Sequence, residues 1–122
     1  MNKKLKGIIY SRVSTEDQEY ARQTEDLVRY AKEHNIEVIR ILEEKDSGFN
    51  DYRPKFQELL TYTKNEIDIV LVWEITRISR RSIKLQETVL NFIDKGIRIF
   101  AYKDGFSTHN PDGTVNSMAR WF

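Results

Sequence analysis

Residues 10–18 combine several groups that could act on a phosphate. Ser11 and Ser14 offer hydroxyl nucleophiles, Arg12 lies between them, and the polar run that follows has the pattern of a helix start. A helix N-terminus presents main-chain N–H groups and the positive end of the helix dipole, and both bind phosphate. Ser14 is therefore a candidate nucleophile toward a phosphate ester.

The same spacing has a simpler interpretation as a helix cap. Ser14 and Thr15 are each followed three residues later by an acid or an amide, Asp17 or Gln18, which resembles a capping box. Serine is common at the N-cap position, whereas nucleophilic serines are rare. Spacing alone therefore favours capping, although one hydroxyl can cap a helix and also face a bound phosphate.

Further arginines follow the second and third predicted strands. Arg53 stands at the start of a predicted helix, and Arg77, Arg80 and Arg81 lie within five residues of one another. Guanidinium groups make paired hydrogen bonds to phosphate, so these side chains suit phosphate contacts better than lysine would. The alternatives are solvated surface residues: a strand end for Arg12, a helix start for Arg53 and a basic loop for the rest.

Other chemistries have weaker support in the sequence. The two histidines, His34 and His109, lack metal-ligand spacing. The acidic residues Glu43, Glu44 and Asp46 have no second acidic strand end beside them, so we expect them to be solvated or paired with arginine. We therefore expect no metal and no cofactor. No glycine-rich phosphate loop follows the first strand, which argues against a nucleotide-binding module.

Composition bounds the class of protein. The 122 residues, 39% of them hydrophobic, suit one compact domain. The formal net charge is +1, so the overall charge does not indicate a nucleic-acid, membrane or acidic partner, and any anion site is local. The absence of cysteine excludes disulfides and fits a cytoplasmic protein. The basic start precedes an apolar run too short for a signal peptide or a membrane span.

Strands and helices alternate in the hydrophobic pattern. The predicted strands are 7–10, 36–42, 67–73 and 97–102, and the predicted helices are 16–33, 55–64 and 82–95. A polar loop is expected over 43–53, a turn over 110–113 and another helix from Thr114. Residues 67–73 form the most continuous apolar run, which is typical of a central strand covered on both faces. Gly96 is expected to end the third helix.

This βαβαβαβ order predicts an α/β fold with a doubly wound, mainly parallel sheet. In such a sheet the loops that follow the strands share one edge. We therefore expect the segments around Ser14, Arg53, Arg77, Arg80 and Asp104 to converge on one site.

Four strings of residues carry a resemblance to a known family. They are YSRVST at 10–15, DSG at 46–48 with RP at 53–54, LVWEITRISR at 71–80 and KDGFST at 103–108. Through them the chain resembles, over nearly its whole length, the catalytic domain of serine site-specific recombinases, the resolvase and invertase group.

The resemblance implies a reaction and a set of site residues. Ser14 would attack a DNA phosphodiester and form a covalent 5′-phosphoserine link, later reversed to rejoin DNA, without metal or cofactor. The resemblance assigns phosphate binding to four arginines, Arg12, Arg53, Arg77 and Arg80. It assigns supporting positions to Gln23, Ser47 and Thr76.

The resemblance also implies partners and a domain organisation. The substrate would be double-stranded DNA, and the complete protein would form a dimer and a synaptic tetramer, with no membrane partner. Residues 1–122 would be the catalytic domain, ending near the start of a long dimerisation helix, with any DNA-binding domain absent from this chain.

The chain departs from the family pattern at Thr76, where an aspartate is usual just before the first arginine of the third string. This departure favours one alternative, a catalytically impaired recombinase-like DNA-binding or regulatory protein. A signalling domain of the same architecture is a more distant alternative, because it would need an acidic cluster at the strand ends.

Overall fold

A computed structural model gives the fold and describes residues 4–13, 18–45, 53–79, 82–117 and 119. The strands in this part of the chain are β1 (Leu5–Val13), β2 (Ile36–Lys45), β3 (Ile69–Val72), β4 (Arg98–Ala101) and β5 (Phe106–Ser107). The helices are α1 (Gln18–Glu33), α2 (Pro54–Leu60) and α3 (Ser82–Lys95), and a 3₁₀ turn, η1, covers Ile75–Arg77.

The strands form one sheet in the order β2-β1-β3-β4-β5. The first four are parallel, and β5 is antiparallel to β4. This confirms the predicted α/β fold, and β3 holds the central place that its continuous apolar run predicted. The strand order reverses between β1 and β3, and open α/β sheets bind ligands beyond the carboxyl ends of the strands at such a point.

Helices cover both faces of the sheet, because alternate residues of each strand point to opposite sides. On one face, Ile8 and Tyr10 of β1 pack in a core with Phe56 of α2 and with α3. On the other face, Ile9 packs in a second core with Leu27 of α1. The expected doubly wound arrangement is therefore present, and we call these two sides the α2/α3 face and the α1 face.

The pairing of β1 with β2 shifts by one residue just after Gly7, and Ile39 is the extra residue of β2. A shift of one residue moves every later side chain of the strand to the opposite face. Glu44 is consequently paired with Arg12. Arg12 follows Tyr10 by two positions on β1, so it lies on the same α2/α3 face, and Glu44 lies opposite it on β2.

Several element ends differ from the prediction. β2 continues to Lys45, into residues predicted as a loop, and α2 ends at Leu60 rather than at residue 64. The Nζ atom of Lys95 in α3 donates to the carbonyl oxygens of Leu60 and Tyr62, at 2.7 and 3.2 Å, so an ammonium group satisfies this helix end. Tertiary contacts, which periodicity does not report, therefore decide where α2 stops.

The final described segment also differs from the prediction. β5 was not predicted because two residues are too few to show an alternation. Val115 forms an antiparallel bridge with His109, so the helix expected from Thr114 does not begin there. Gly96 does end α3, with a φ of 80° in the left-handed region, as expected. No helix in the described part of the chain has both the length and the apolar character needed to span a membrane.

Candidate active site

Arg53 connects three elements at the carboxyl edge of the sheet. It occupies the N-cap position of α2. Its Nη1 donates to the carbonyl oxygen of Ile78 at 2.7 Å, and its Nη2 donates to the carbonyl oxygen of Arg77 at 2.9 Å. Nη2 also donates to the hydroxyl of Tyr10 at 2.8 Å. The structure thus brings together the Arg53 and Arg77 segments, which the fold prediction placed at one edge.

Aromatic rings also contact the flat face of the Arg53 guanidinium, in addition to the hydrogen bonds from its Nη atoms. Its central carbon lies 4.1 Å from the centre of the Phe56 ring and 5.7 Å from the centre of the Tyr10 ring. A cation over an aromatic face is attracted by the ring quadrupole. Its Nε is buried and has no hydrogen-bond partner among the described residues. Two aromatic rings and three oxygen acceptors therefore hold the group in place.

Glu44 is a buried carboxylate at the start of α2, only 3% exposed. Its Oε1 accepts from the main-chain N–H of Phe56 at 3.0 Å and from the Tyr10 hydroxyl at 3.3 Å. Its Oε2 accepts from the main-chain N–H of Lys55 at 3.4 Å. A carboxylate in this position satisfies N–H groups that the first helical turn leaves without partners. The prediction of a solvated loop acid is wrong for Glu44, because β2 extends through this residue and the shift at Ile39 turns it inward.

Tyr10 is fully buried between Glu44 and Arg53. Burial raises the pKa of its hydroxyl to about 12, against the opposing effects of the hydrogen bond and charge of Arg53. The hydroxyl is therefore protonated at neutral pH. It can donate to Glu44 while it accepts from Arg53.

The η1 turn carries Arg77, and hydrogen bonds hold it at both ends: Arg53 binds its last residue, and another side chain binds its first. The Oδ2 of Asp104 accepts from the main-chain N–H of Ile75 at 2.8 Å. The side chain of Arg77 is 12% exposed, with its Nη2 3.3 Å from the Oε1 of Glu74. Two other segments, those of Arg53 and Asp104, therefore fix the main chain from which Arg77 projects.

Arg12 is half-buried on the α2/α3 face, and its positive charge acts to lower the pKa of the Tyr10 hydroxyl. Arg53 lies against the same hydroxyl, and Arg77 follows β3, the strand next to β1. Two arginines, Arg12 and Arg53, thus act on one hydroxyl, and the main chain of Arg77 is held beside Arg53 at the strand-order reversal. This is a concentration of positive charge suited to a phosphate group.

Ser11 lies on the opposite face. It is 6% exposed, and its Oγ is 2.8 Å from the Oγ1 of Thr24 on α1, one of the two hydroxyls donating to the other. Neighbouring residues of a strand alternate in direction, so Ser11 faces α1 whereas Tyr10 and Arg12 face α2. Its hydroxyl is therefore on the wrong side of the sheet to act with Arg53.

The remaining predicted residues have different outcomes. Gln23 is half-buried on α1, next to Thr24, and Thr76 is exposed on η1. Ser14, Ser47 and Arg80 lie outside the described residues, so their assigned roles stay predictions.

Sequence reasoning missed Tyr10 and Glu44 as parts of the site. Tyr10 stands inside the first quoted string, which was a usable signal, whereas no pattern in the sequence indicates the extra residue of β2 that turns Glu44 inward. Across the described residues, histidine and acidic side chains form no group of three or more that could hold a metal ion.

Comparison with known proteins identifies the family. The family model described as "Resolvase, N terminal domain" matches residues 7–120. A resolvase of Clostridium perfringens is 34% identical over 113 residues, which cover 89% of this chain and 55% of that protein. The transposon Tn501 resolvase of Pseudomonas aeruginosa is 31% identical over 109 residues, covering 89% of this chain and 53% of that protein. The chain thus spans about half the length of the curated relatives it matches.

Solved structures give the same result. The N-terminal catalytic domain of TP901-1 integrase superimposes with a TM-score of 0.75 and 28% identity, covering 88% of this chain and 85% of that chain. The C-terminal catalytic domain of ISC1926 TnpA, an IS607-like serine recombinase, has a TM-score of 0.69 and 27% identity, covering 80% of this chain and 69% of that chain. The chain belongs to the resolvase family, and its fold is that of serine recombinase catalytic domains.

Proposed function

We propose that the protein is a site-specific DNA recombinase that cleaves and rejoins DNA through a covalent 5′-phosphoserine at Ser14. The observation that carries this proposal is the hydrogen bonding of Arg53 to the main chain at Arg77 and to Tyr10, whose hydroxyl also lies in the field of Arg12. It supports a phosphate site at the end of β1, the strand that directly precedes Ser14 in the sequence. Membership of the resolvase family supports the same reaction.

In this reaction the Oγ of Ser14 forms a bond to the phosphorus of a DNA phosphodiester while the bond from phosphorus to the 3′ oxygen breaks. The serine loses a proton and the 3′ oxygen gains one. Rejoining is the reverse, with a 3′ hydroxyl of the exchanged strand attacking the phosphoserine. The transition state gathers negative charge on the nonbridging oxygens, where guanidinium groups stabilise it. Removal of one such donor commonly costs about 3 kcal/mol, or roughly a hundredfold in rate.

The arginines would divide this work. Arg12, Arg77 and Arg80 would approach the phosphate directly. Arg53 already donates to two carbonyl oxygens and one hydroxyl, so it would contribute its charge and hold the Arg77 segment in place. Gln23 and Ser47 would support the site from α1 and from the second family string.

The proposed partners follow from the reaction. The substrate is double-stranded DNA, which places the protein in the cytoplasm. The complete protein forms a dimer and a synaptic tetramer, since strand exchange needs several cleaved ends held together. Residues 1–122 are its catalytic domain, a proposal supported by the 85% coverage of the TP901-1 catalytic domain.

A covalent adduct tests the proposal. The complete protein is incubated with duplex DNA selected for binding to it, and the reaction is stopped with detergent and run on a denaturing gel. We expect a protein–DNA band with the wild type and with Ser11→Ala, and none with Ser14→Ala. A band that survives Ser14→Ala contradicts the assignment. A wild type that binds its DNA and never forms the band favours the impaired, non-catalytic alternative.

A further inference from the structure

We propose that Glu74 is a positioning residue for DNA cleavage, whose carboxylate orients the guanidinium of Arg77 toward the phosphate. The proposal rests on the proposed recombinase function, in which Arg77 approaches the phosphate directly. It assigns to Glu74 no contact with the DNA. The carboxylate acts only through the arginine that it holds.

The 3₁₀ geometry of η1 explains why Glu74 reaches Arg77. Glu74 is the N-cap of η1, and its carbonyl oxygen accepts from the N–H of Arg77, the last residue of the turn, at 3.0 Å. Residues three apart are eclipsed in a 3₁₀ turn, and the Oε1 of Glu74 lies 3.3 Å from the Nη2 of Arg77. Thr76, which stands where an aspartate is usual, is rotated away from this contact and exposed. The acid beside this arginine therefore comes from position 74.

The main chain on both sides of Glu74 is anchored to the segment that follows β4. The N–H of Lys103 donates to the carbonyl oxygen of Trp73, the residue before Glu74, at 2.7 Å. The Oδ2 of Asp104 accepts from the N–H of Ile75, the residue after it, at 2.8 Å. The main chain of Glu74 therefore has little freedom, and its carboxylate is held beside the guanidinium before any DNA binds.

The charges around Glu74 explain how an acid can stand at a site for an anion. A carboxylate repels phosphate unless nearby cations offset its charge. The Nζ of Lys103 lies 3.9 Å from the Oε2 of Glu74, the oxygen that is not paired with Arg77. Glu74 thus has a cation beside each oxygen, and the group as a whole stays positive. A guanidinium has several N–H donors, so the contact with Glu74 leaves others for the phosphate.

A simpler interpretation is an ion pair that serves only the local fold, since exposed pairs contribute little else. The Arg77 side chain is 12% exposed and that of Glu74 is 26% exposed, so water screens this pair less than a surface pair. Loss of the carboxylate would let the guanidinium turn. Small displacements of a group that stabilises a transition state reduce the rate strongly, because the productive geometry is narrow.

Glu74→Ala tests the proposal in the complete protein. The single-turnover rate of adduct formation is measured at saturating DNA, together with the Kd for the same DNA. We expect the rate to fall about tenfold, because a misaligned arginine stabilises the transition state less. The Kd should not rise, since loss of a negative charge does not weaken binding to phosphates. A rate at or above that of the wild type contradicts the proposal, whatever the Kd.

Glu74→Gln separates orientation from general weakening of the turn. Its amide oxygen can still accept from Arg77, although a neutral acceptor is weaker than a charged one, so we expect a fall of only about threefold. A loss as large as that of Glu74→Ala contradicts the role of the acceptor oxygen. If Glu74→Ala does not fold, Glu74→Gln decides, and a wild-type rate then contradicts the proposal.

Asp26→Ala is the matched control. Asp26 forms an ion pair of the same spacing with Arg29 on α1, and its side chain is 22% exposed. The rate of adduct formation in this variant should equal that of the wild type. Equal falls for the Asp26 and Glu74 variants would contradict the proposal. A wild type that forms no adduct would overturn the recombinase function itself, which is a distinguishable result.

Discussion

The side chain of Arg53 donates a hydrogen bond to the main-chain carbonyl oxygen of Arg77 at 2.9 Å. This contact joins the first residue of the α2 region to the turn after β3. One arginine thus holds the main chain from which another arginine projects. A substitution at Arg53 is therefore expected to affect the fold and the chemistry together.

Replacing Arg53 with lysine should separate charge from geometry. Lysine keeps the positive charge, but one ammonium group cannot reproduce the planar fork that reaches a hydroxyl and two carbonyl oxygens. We expect Arg53→Lys to lower the free energy of unfolding by about 2 kcal/mol, because hydrogen bonds from a charged donor are lost in a half-buried site. Urea unfolding of the complete protein measures this change.

Arg40→Lys is the matched control for this substitution. Arg40 also makes a paired contact, with Glu58, but its side chain is 45% exposed. Exposed pairs contribute little, so we expect a loss much smaller than that of Arg53→Lys. Equal losses for the two substitutions would show that Arg53 has no special structural role.

Glu44 and Glu43 are neighbours on β2 with opposite environments, buried and exposed respectively. We expect Glu44→Ala to lower the free energy of unfolding by about 3 kcal/mol, because it leaves the N–H of Phe56 and the Tyr10 hydroxyl buried without their acceptor. Glu43→Ala should change it by less than about 0.5 kcal/mol. Chemical denaturation of both variants makes the comparison, and a similar small effect at both positions would refute the inward placement of Glu44.

The Ser11 hydroxyl is expected to stabilise the contact between β1 and α1 without taking part in cleavage. Ser11→Ala should cost about 1 kcal/mol of unfolding free energy, the usual net value of one hydrogen bond. Because its partner is Thr24, the loss in Ser11→Ala combined with Thr24→Val should be smaller than the sum of the single losses. Strictly additive losses, measured by thermal unfolding, would argue against this hydrogen bond.

The stabilisation that Tyr10 gives to the folded state should decrease at alkaline pH. The pKa of its hydroxyl is 10.0 in the unfolded chain and about 12 in the folded protein, because burial disfavours the charged form. Between these values the unfolded state binds fewer protons, so the stability contributed by Tyr10 is complete below pH 10 and falls as pH rises toward 12. The difference between these pKa values corresponds to about 3 kcal/mol.

The Tyr10→Phe variant isolates this contribution from the other titrating groups. Unfolding free energies of the wild type and the variant are measured from pH 9 to pH 12. The advantage of the wild type should shrink by about 2 kcal/mol between pH 10 and pH 12, with the rest of the loss above pH 12. Parallel curves would mean that the folded and unfolded states titrate Tyr10 alike.

The sequence predicted those parts of the fold that depend on local pattern. Residues 67–73 are a continuous apolar run, and the strand within them, Ile69–Val72, is central and fully buried. Gly96 ends α3 because a left-handed residue is needed there. The meeting of the Arg53 and Arg77 segments followed from the topology of a parallel sheet.

The parts that could not be predicted depend on tertiary contacts. The extra residue at Ile39 is a matter of register between two strands, and neither strand's own pattern reveals it. The sequence pattern therefore predicted that Glu44 is a solvent-exposed acid in a loop. The family resemblance likewise assigned Arg53 to phosphate, whereas its hydrogen bonds to Tyr10 and Arg77 are visible only in the folded chain.

The most direct test of the account is to locate the DNA on the protein. The complete protein is trapped on its DNA, digested with nuclease and trypsin, and the peptides are analysed by mass spectrometry. Trypsin cuts after Arg12, so it separates Ser11, on peptide 7–12, from Ser14, on peptide 13–22. We predict that the phosphonucleotide lies on peptide 13–22 and that fragmentation places it on Ser14 rather than Thr15. A nucleotide on Ser11 or Thr15 would contradict the account.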